Sequence, residues 1–433
     1  MAFSGGGIRS AAFSIGVMQG LNDAGLLQSA DVMSSTSGGA YAASWLYMAT
    51  RNRGISIDDA LNPTGEEQAR LSKAAPNFVD SFWGVWSVAT GAISEALFTK
   101  VAKDLSCRAG YDPSMTPSGG SFAYVAALKG FLYDWEDAAF LSVARGVNGP
   151  KLPELVIGVS VTDGSSPSCG VDKQKSRAAE LSASGLKVKS EIYRDDIDTW
   201  KLSNVVASAG GATDMSKSDN AGFTMCRLPT LFRPLLGSAI CTPSRSGVKE
   251  TFITDGGFTD NLALEPAIQR RCKVIVSVDA THDPSLEFKD LAIALEKFKE
   301  DGWTIGALQR QISSPGTGDA FTADMVKSMV AIDTSRDGST FAYIKLSLPG
   351  DVDTSLPSTT LLTHEYSKAK YSMPSGCTAP GIGNRCRFPQ ESTMRQGYLV
   401  SEFMAYRDLG HWAVEYQLIP KLHGAAAIEP ASR

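Results

Sequence analysis

The fold is predicted most directly by residues 2–48, AFSGGGIRSAAFSIGVMQGLNDAGLLQSADVMSSTSGGAYAASWLYM. Here Ser4–Arg9 (SGGGIR) form a glycine-rich turn that leads into a helix with small and apolar residues on one face, and Gly25 ends that helix. Asp31–Ser35 have the pattern of a short buried strand, and after Ser37 the run GGAYAASWLYM has a helical pattern. Turn, helix, strand, turn and helix in this order predict an α/β sheet with crossover helices.

A second stretch, Glu250–Ala280, shows the same kind of pattern. ETFITDGG is predicted to be a strand that stops at two glycines, NLALEPAIQRR a helix, and CKVIVSVDA another buried strand. A strand, a helix and a strand in succession predict that the parallel sheet continues to this point. The chain shows no internal repeat, so residues 1–433 are interpreted as one interrupted α/β domain. Two further strands are predicted at Leu155–Val161 and Thr340–Leu348. Further helices are predicted to end at Gly211 and to span Leu286–Lys299 and Thr393–Tyr416.

The composition argues against several classes of function. The 433 residues are 43% hydrophobic, enough for a large core, and carry a net charge of -5 with a pI near 5.6. This mild acidity gives no basic face for a phosphate backbone, so nucleic acid is not an expected partner. No run of about 18 apolar residues predicts a transmembrane helix, and no secretory signal precedes the first turn. The sequence indicates a water-soluble chain of unassigned compartment.

Two further features concern the start of the chain and its thiols. The first strand is so short that missing upstream sequence, or a neighbouring element over its edge, is expected. The seven cysteines are an odd number without CxxC or Cys/His spacing, so no zinc site is expected. Cys377 and Cys386 flank a Gly/Pro loop, where a small disulfide and two free thiols are both compatible with the sequence.

Ser37 is the candidate nucleophile. It lies in Ser35-Thr36-Ser37-Gly38-Gly39, between a buried strand and a helix, and small residues on both sides allow the strained backbone of a nucleophile elbow. Ser35 stands where the GxSxG pattern has its first glycine, and serine is small enough to be tolerated there. Taken alone, such a serine- and glycine-rich strand end is also a common turn.

The triplet Gly5-Gly6-Gly7, followed by Ile8-Arg9 and a helix, is the candidate anion-binding turn. Its backbone N–H groups are unobstructed by side chains at the positive end of a helix, which suits a phosphate or the oxyanion of an acyl-transfer intermediate. The sequence has neither the GxGxxG pattern of a dinucleotide site nor the GxxxxGK[ST] pattern of a P-loop. The oxyanion interpretation is therefore favoured over the phosphate one, and a plain glycine-rich turn is the other alternative.

Asp255 is the candidate base. It follows a β-rich run and is held on a turn by Gly256 and Gly257, so its carboxylate is expected to project from a strand end into a crevice. The four histidines, His282, His364, His411 and His423, all follow Asp255, which agrees with the chain order of a Ser-acid-His triad. Only His282, just past a strand, is kept as an alternative catalytic residue.

Together these motifs resemble those of the patatin-like and group IV cytosolic phospholipase superfamily. In that family a GGGxR turn forms the oxyanion hole, a strand-to-helix serine is the nucleophile, and a DGG or DGA aspartate is the base without histidine. The motifs fall here on Gly5, Gly6, Gly7 and Arg9, on Ser37, and on Asp255. The stretch from Asp255 to Ala280, and the later FPQEST and FMAYRDLG, are also similar to large bacterial patatin-like proteins.

The resemblance implies a three-layer α/β sandwich, with a central, mostly parallel sheet and helices on both faces. It implies a lipolytic serine acyl-ester hydrolase with a Ser37-Asp255 dyad, an oxyanion hole from Gly5, Gly6, Gly7 and Arg9, and supporting turns at Gly38, Gly39, Gly256 and Gly257. Phospholipase A, lysophospholipase and esterase activities are all compatible with it. No metal or organic cofactor is expected. The expected partner is a lipid or acyl-ester substrate.

Two alternatives stay open at this point. One is a Ser-His-Asp esterase that uses His282, and the other is a non-catalytic lipid-binding module that retains the fold. A cap or lid insertion is predicted at about residues 50–150, where Phe82, Trp83 and Trp86 lie on an amphipathic helical pattern. That helix is interpreted as part of a cap core or, alternatively, as a lipid-facing lid that makes peripheral membrane contact.

Overall fold

The architecture comes from a computed structural model of the chain. The structure describes residues 1–62, 116–117, 137–146, 150–163, 176–188, 191–193, 200–210, 238–244, 247–284, 286–300, 329–334, 339–347, 388–391, 393 and 400–424. The predicted insertion at about 50–150 falls largely outside these residues, as do Phe82, Trp83, Trp86, His364, Cys377 and Cys386. The division into a domain with a cap therefore stays a prediction.

The described residues form twelve strands and ten α-helices. The strands are β1 Ala2–Phe3, β2 Val32–Ser35, β3 Thr116–Pro117, β4 Glu154–Asp163, β5 Ser176–Ser182, β6 Gly185–Val188, β7 Glu191–Tyr193, β8 Ser238–Ser244, β9 Gly247–Asp255, β10 Val274–Asp279, β11 Val330–Thr334 and β12 Thr340–Lys345. The helices are α1 Gly7–Asp23, α2 Ser37–Tyr47, α3 Ile57–Leu61, α4 Phe140–Arg145, α5 Leu202–Ala209, α6 Gly257–Asp260, α7 Glu265–Gln269, α8 Lys289–Glu300, α9 Val400–Trp412 and α10 Ile419–Gly424. Short π-helical segments, Met48–Asn52 and Ala413–Leu418, continue α2 and α9.

One sheet organises the molecule. Its main path runs β11-β12-β10-β1-β2-β4-β5-β6-β7, and the five central strands from β12 to β4 are parallel to one another. Antiparallel strands extend the sheet beyond this centre, with β11 at one edge and the β5–β7 meander at the other. The predicted α/β class with a parallel central sheet is confirmed.

The two-residue strand β1 lies in the middle of the sheet. Ala2 pairs with Ser34 and Ser277, and Phe3 pairs with Ser35 and Val278, so both edges of β1 are covered. The strand is short, but its two neighbours hold it in register. The glycine-rich turn that follows is thereby fixed at the carboxyl edge of the parallel strands.

The predicted strand-helix-strand continuation at Glu250–Ala280 is wrong in one respect. Its two strands form, but β9 pairs antiparallel with β4, whereas β10 pairs parallel with β1 and β12. The segment therefore crosses from one side of β2 to the other instead of joining neighbouring parallel strands. A buried apolar strand has the same sequence pattern in either direction, so its pairing partner is decided by distant residues.

Apolar layers cover both faces of the central strands. Alternate residues face opposite sides, so Ala2 packs in a cluster with Phe288 and Leu291 of the α8 region, and Phe3 packs in a second cluster with α1 and α2. This arrangement confirms the predicted three-layer sandwich. No helix in the described ranges is both long and apolar enough to cross a membrane.

Helices α1 and α9 cross at unusually close range because glycines face each other's backbone. A Cβ added to Gly16 would overlap the carbonyl of Arg407, and a Cβ added to Gly410 would overlap the carbonyl of Phe13. This contact joins residues almost 400 positions apart in sequence. The crossing packs α9 against α1, the helix that begins at the glycine-rich turn.

We expect Gly16→Ala to lower the free energy of unfolding by about 1–3 kcal/mol, because the new methyl group must push α1 and α9 apart. Gly25→Ala is the matched control, since a Cβ there meets nothing within 4 Å and the backbone φ of +72° alone adds strain of about 1 kcal/mol. Chemical denaturation of both variants measures the difference. A Gly16→Ala variant as stable as wild type would contradict the close crossing.

Candidate active site

Strand β4 brings the ends of β2 and β9 together. Strand β2 pairs with the first half of β4 and β9 pairs with the second half, both along the edge opposite β5. The last residue of β2, Ser35, lies opposite Ile157, and the last residue of β9, Asp255, lies opposite Val159. Two residues along a strand span about 7 Å. Two segments separated by some 200 residues therefore end side by side.

Ser37 occupies a strained turn between β2 and α2. Its backbone has a φ of 46°, in the left-handed region that residues other than glycine seldom adopt. Close packing holds this conformation: a Cβ on Gly38 would overlap the carbonyl of Gly7, and a Cβ on Gly39 would overlap the carbonyl of Phe3. Left-handed backbone at the first residue of a helix directs the side chain away from the strand, as in a nucleophile elbow.

The hydroxyl of Ser37 donates a hydrogen bond to Asp255, with 3.0 Å between Oγ and Oδ2. The other carboxylate oxygen, Oδ1, accepts a hydrogen bond from the backbone N–H of Gly257 at 2.7 Å. The two residues are nearly enclosed, with 7% of Ser37 and 4% of Asp255 exposed. The structure thus brings the two predicted catalytic side chains into direct contact.

Burial changes the acidity of Asp255. Desolvation raises the pKa of its carboxyl group from 3.8 to about 6, although the hydrogen bonds from Gly257 and Ser37 favour the charged form and oppose the rise. A carboxylate of that pKa accepts a proton more readily than a solvated aspartate and is still mostly ionised at neutral pH.

The glycine-rich turn lies against the nucleophile turn. Gly6 and Gly7 have positive φ values of 140° and 66°, and the N–H of Gly39 donates to the carbonyl of Ser4 at 3.1 Å. Gly6 and Gly7 stand at the N-terminus of α1, where backbone N–H groups have no acceptor within the helix. The N–H of Gly5, in contrast, donates to the carbonyl of Asn261 at 2.9 Å. Among the three predicted oxyanion glycines, Gly6 and Gly7 are therefore the better placed to bind an anion.

Arg9 is fully buried behind the turn. Its guanidinium donates to the backbone carbonyls of Pro389 and Ala280, both at 3.2 Å, and its Nε lies 3.4 Å from the carbonyl of Gly6. These hydrogen bonds hold the glycine-rich turn against the end of β10 and against residues 388–391. This geometry agrees with a structural role for Arg9 in holding the turn.

His282 has a different environment from the one a triad needs. Burial and the positive charge of Arg9 lower its pKa, and backbone groups of Glu391 and Gln390 hydrogen-bond with its ring. The Ser37 hydroxyl donates its hydrogen bond to Asp255. His411 lies between α9 and α1, where its Nε2 is 2.9 Å from Asp23.

Sequence reasoning missed Asn261 and residues 388–391. Asn261 follows Asp255 by six positions and contacts the glycine-rich turn, and Gln390 accepts a hydrogen bond from the N–H of Asp283 at 2.9 Å. The only signal in the sequence was their presence inside the DGGFTDN and FPQEST stretches. In the described part of the chain, no group of three or more His, Cys, Asp or Glu side chains is arranged to hold a metal ion.

A serine on a strained strand-to-helix turn, beside a buried carboxylate and a half-buried helix N-terminus, is an arrangement typical of serine acyl hydrolases. Comparison with known proteins gives a narrower class. The model of the patatin-like phospholipase family matches residues 1–110, which include the glycine-rich turn and Ser37. No curated protein sequence matches the chain.

The solved structures that match extend the comparison to the rest of the fold. Human GIVD cytosolic phospholipase A2 superposes with a TM-score of 0.60 at 12% identity, covering 98% of this chain and 62% of that one. The same human protein in complex with methyl gamma-linolenyl fluorophosphonate inhibitor and terbium chloride gives a TM-score of 0.59 at 14% identity, covering 98% and 58%. The present chain thus spans about three fifths of the length of these structures. Residues 1–110 therefore match the predicted patatin-like family, and the fold of the chain is similar to that of the cytosolic phospholipase structures.

Proposed function

We propose that this chain is a lipolytic serine hydrolase that cleaves acyl esters through a Ser37-Asp255 dyad. The observation that carries the proposal is the 3.0 Å hydrogen bond from the Ser37 hydroxyl to Asp255 at the strained turn. A lipid substrate is supported by the match to the patatin-like phospholipase family and by the fold shared with a human phospholipase A2. Phospholipase A, lysophospholipase and esterase activities all use this chemistry.

In the acylation step Asp255 accepts the proton of the Ser37 hydroxyl as the serine oxygen attacks the ester carbonyl. The carbonyl oxygen becomes an oxyanion, which the N–H groups of Gly6 and Gly7 stabilise together with the positive end of α1. The tetrahedral intermediate then collapses, the ester C–O bond breaks, and the departing alcohol takes the proton from Asp255. An acyl group is left on Ser37.

Deacylation repeats these steps with water. Asp255 accepts a proton from a water molecule as that water attacks the acyl carbonyl, and the same donors stabilise the second oxyanion. When this intermediate collapses, the Ser37 oxygen leaves and recovers the proton from Asp255. The products are a carboxylic acid and the free enzyme, and each step uses only groups of this chain, substrate and water.

The dependence of the rate on pH follows from the state of Asp255. Only the ionised carboxylate can accept the serine proton, and its pKa is raised to about 6. We therefore expect kcat/KM to be nearly constant above pH 7 and to fall about tenfold per pH unit below the pKa. Hydrolysis of a soluble p-nitrophenyl ester from pH 4.5 to 8.5 measures the profile.

His282→Gln is the control for this profile, because His282 is the base in the alternative Ser-His-Asp esterase. With Asp255 as the base, the variant is expected to keep both the midpoint and most of the wild-type rate. Loss of activity in His282→Gln would instead favour the alternative Ser-His-Asp esterase.

The direct test of the proposal is labelling of the intact protein with an alkyl fluorophosphonate, followed by peptide mapping and by assays of ester and phospholipid-vesicle hydrolysis. The expected result is one labelled serine, Ser37, together with release of free fatty acid. A chain that binds the vesicles but neither reacts with the probe nor releases fatty acid would support the non-catalytic lipid-binding module.

A further inference from the structure

Asn261 connects the base turn to the glycine-rich turn. It follows α6, the short helix that begins two residues after Asp255. Its backbone carbonyl accepts the hydrogen bond from Gly5, and its side-chain oxygen lies so close to Gly5 that a Cβ there would overlap it. A Cβ on Gly257 would lie 2.7 Å from the same oxygen and 3.1 Å from Oδ1 of Asp255. The Asn261 side chain thus fills the space between the two turns.

The orientation of the Asn261 amide is determined by Asp290. Its nitrogen, Nδ2, donates a hydrogen bond to Oδ2 of Asp290 at 2.9 Å, so Oδ1 is directed to Gly5 and Gly257. If the amide were rotated by 180°, Oδ1 of Asn261 would face Oδ2 of Asp290, and the amide nitrogen would take the place of the oxygen beside Gly5. Asp290 is therefore the group that keeps this oxygen between the turns.

Asp290 itself is held at the carboxyl ends of the parallel strands. It begins the first turn of α8, whose apolar residue Leu291 is fully buried. Nearby, the buried Lys345 of β12 donates to Asp279 of β10 at 3.0 Å and to Thr281 at 3.1 Å. Burial and the charge of Asp279 raise the pKa of Asp290, while the hydrogen bond from Asn261 and the charge of Lys345 oppose the rise. The contact of Asp290 with Asn261 is thereby fixed relative to the rigid centre of the sheet.

We infer that Asn261 is a positioning residue, oriented by Asp290, that sets the separation between the oxyanion-binding glycines and the base Asp255. The inference rests on the proposed function. The oxyanion forms only when the serine oxygen has bonded to the carbonyl carbon. The glycine N–H donors and the Asp255 carboxylate must therefore both fit the same tetrahedral intermediate, which makes the distance between them important. Gly5 agrees with this role, since any side chain at that position would displace the Asn261 oxygen.

The test uses Asp290, which is one residue further from the reacting atoms than Asn261. Asp290→Ala removes the acceptor and frees the amide, so we expect kcat to fall at least about tenfold, with KM within about threefold of wild type. Asp290→Asn keeps an acceptor oxygen for the Asn261 amide and is expected to recover most of kcat. Glu296→Ala, on an exposed position of the same helix, is the matched control and should behave as wild type.

Folding and catalysis are separated by normalising each rate to the folded fraction measured by circular dichroism, and by following the rate of fluorophosphonate labelling at Ser37. If Asp290→Ala folds poorly, Asn261→Ala is measured in the same way, with the same expected loss of kcat per folded molecule. The inference would be overturned if both alanine variants had the wild-type kcat per folded molecule, or if Asp290→Asn did not restore the lost kcat. Either result would leave the proposed function unaffected. A wild-type chain without a reactive Ser37 would overturn the proposed function and this inference together.

Discussion

Replacing Ser37 with alanine is expected to lower kcat for ester hydrolysis by at least about 10⁴-fold, since no other group can form the acyl-enzyme in this geometry. The hydroxyl is also the group that hydrogen-bonds with Asp255. Removing it leaves the strained turn and the glycine contacts in place, so the fold is expected to be retained. Rates with a soluble ester and labelling with a fluorophosphonate measure the two losses.

Ser35→Ala is the matched control for this experiment. Ser35 is a buried serine two residues earlier, and its hydroxyl is directed to the carbonyl of Val156 at 3.4 Å. It is expected to keep its label and most of its activity. An active Ser37→Ala variant, or a label on another serine, would show that the nucleophile lies elsewhere.

Replacing Asp255 with asparagine is expected to cause the second largest loss of activity. The same replacement is expected to raise the stability of the fold at neutral pH. An amide cannot accept the serine proton, so kcat should fall about 10²- to 10⁴-fold. Asparagine can still accept the hydrogen bond from Gly257, so the turn should persist. Labelling by the fluorophosphonate should be lost as well, because it needs the same activated oxygen.

The stability effect follows from the sign of the pKa shift. Burial raises the pKa of Asp255 from 3.8 to about 6, so the folded state disfavours the charged carboxylate. Near pH 4 the variant should be more stable by only about 0.5 kcal/mol, because the carboxyl group is protonated in the folded state and only partly ionised in the unfolded state. Above pH 6 the variant should be more stable, by up to roughly 3 kcal/mol.

Asp260→Asn is the control for both effects. Asp260 is another buried acid with a raised pKa, and its carboxylate accepts a hydrogen bond from the N–H of Glu265 rather than from Ser37. It should gain stability at neutral pH and keep its activity. Thermal melting at pH 4 and pH 8, with rates at pH 8, distinguishes the variants. A destabilised Asp255→Asn variant at pH 8 would show that the carboxylate is stabilised by charge rather than strained by burial.

Strand pairing and burial bring the proposed nucleophile and the proposed base into contact. Strand β4 aligns the ends of β2 and β9, the close glycine contacts hold the elbow, and burial adjusts the basicity of Asp255. In the proposed dyad the carboxylate itself takes the serine proton, because it accepts the hydrogen bond of the Ser37 hydroxyl. His282 lies instead beside Arg9 and the segment from Pro389 to Glu391.

Much of the local structure could be predicted from short stretches of sequence. The helix that follows the glycine-rich turn was expected to end at Gly25, and it forms at Gly7–Asp23. The strand expected at 31–35 and the helix expected at 38–48 form at Val32–Ser35 and Ser37–Tyr47. Helical and strand periodicities, with glycines at the turns, are local properties and therefore survive in any tertiary context that buries the apolar face. The candidate residues Ser37 and Asp255 were identifiable for the same reason.

What depends on distant residues could not be predicted in this way. The helix expected across NLALEPAIQRR is only Glu265–Gln269, because the chain makes several turns there to contact Gly5 and the sheet. The antiparallel direction of β9 is likewise invisible in an apolar strand. The hydrogen-bond partners of Arg9 are also not indicated by the residues around it, since one of them lies 380 positions away in sequence.

The sequence by itself determined the class of fold, the serine at a strand-to-helix turn and the aspartate before two glycines, because each depends on residues within a few positions. Only the tertiary structure decided that these two side chains share a hydrogen bond across 218 residues, that Gly5 is engaged by Asn261, and that Arg9 is buried as a structural support. Strand pairing and burial cause this difference, since they bring together groups whose separation along the chain carries no information about their distance in space.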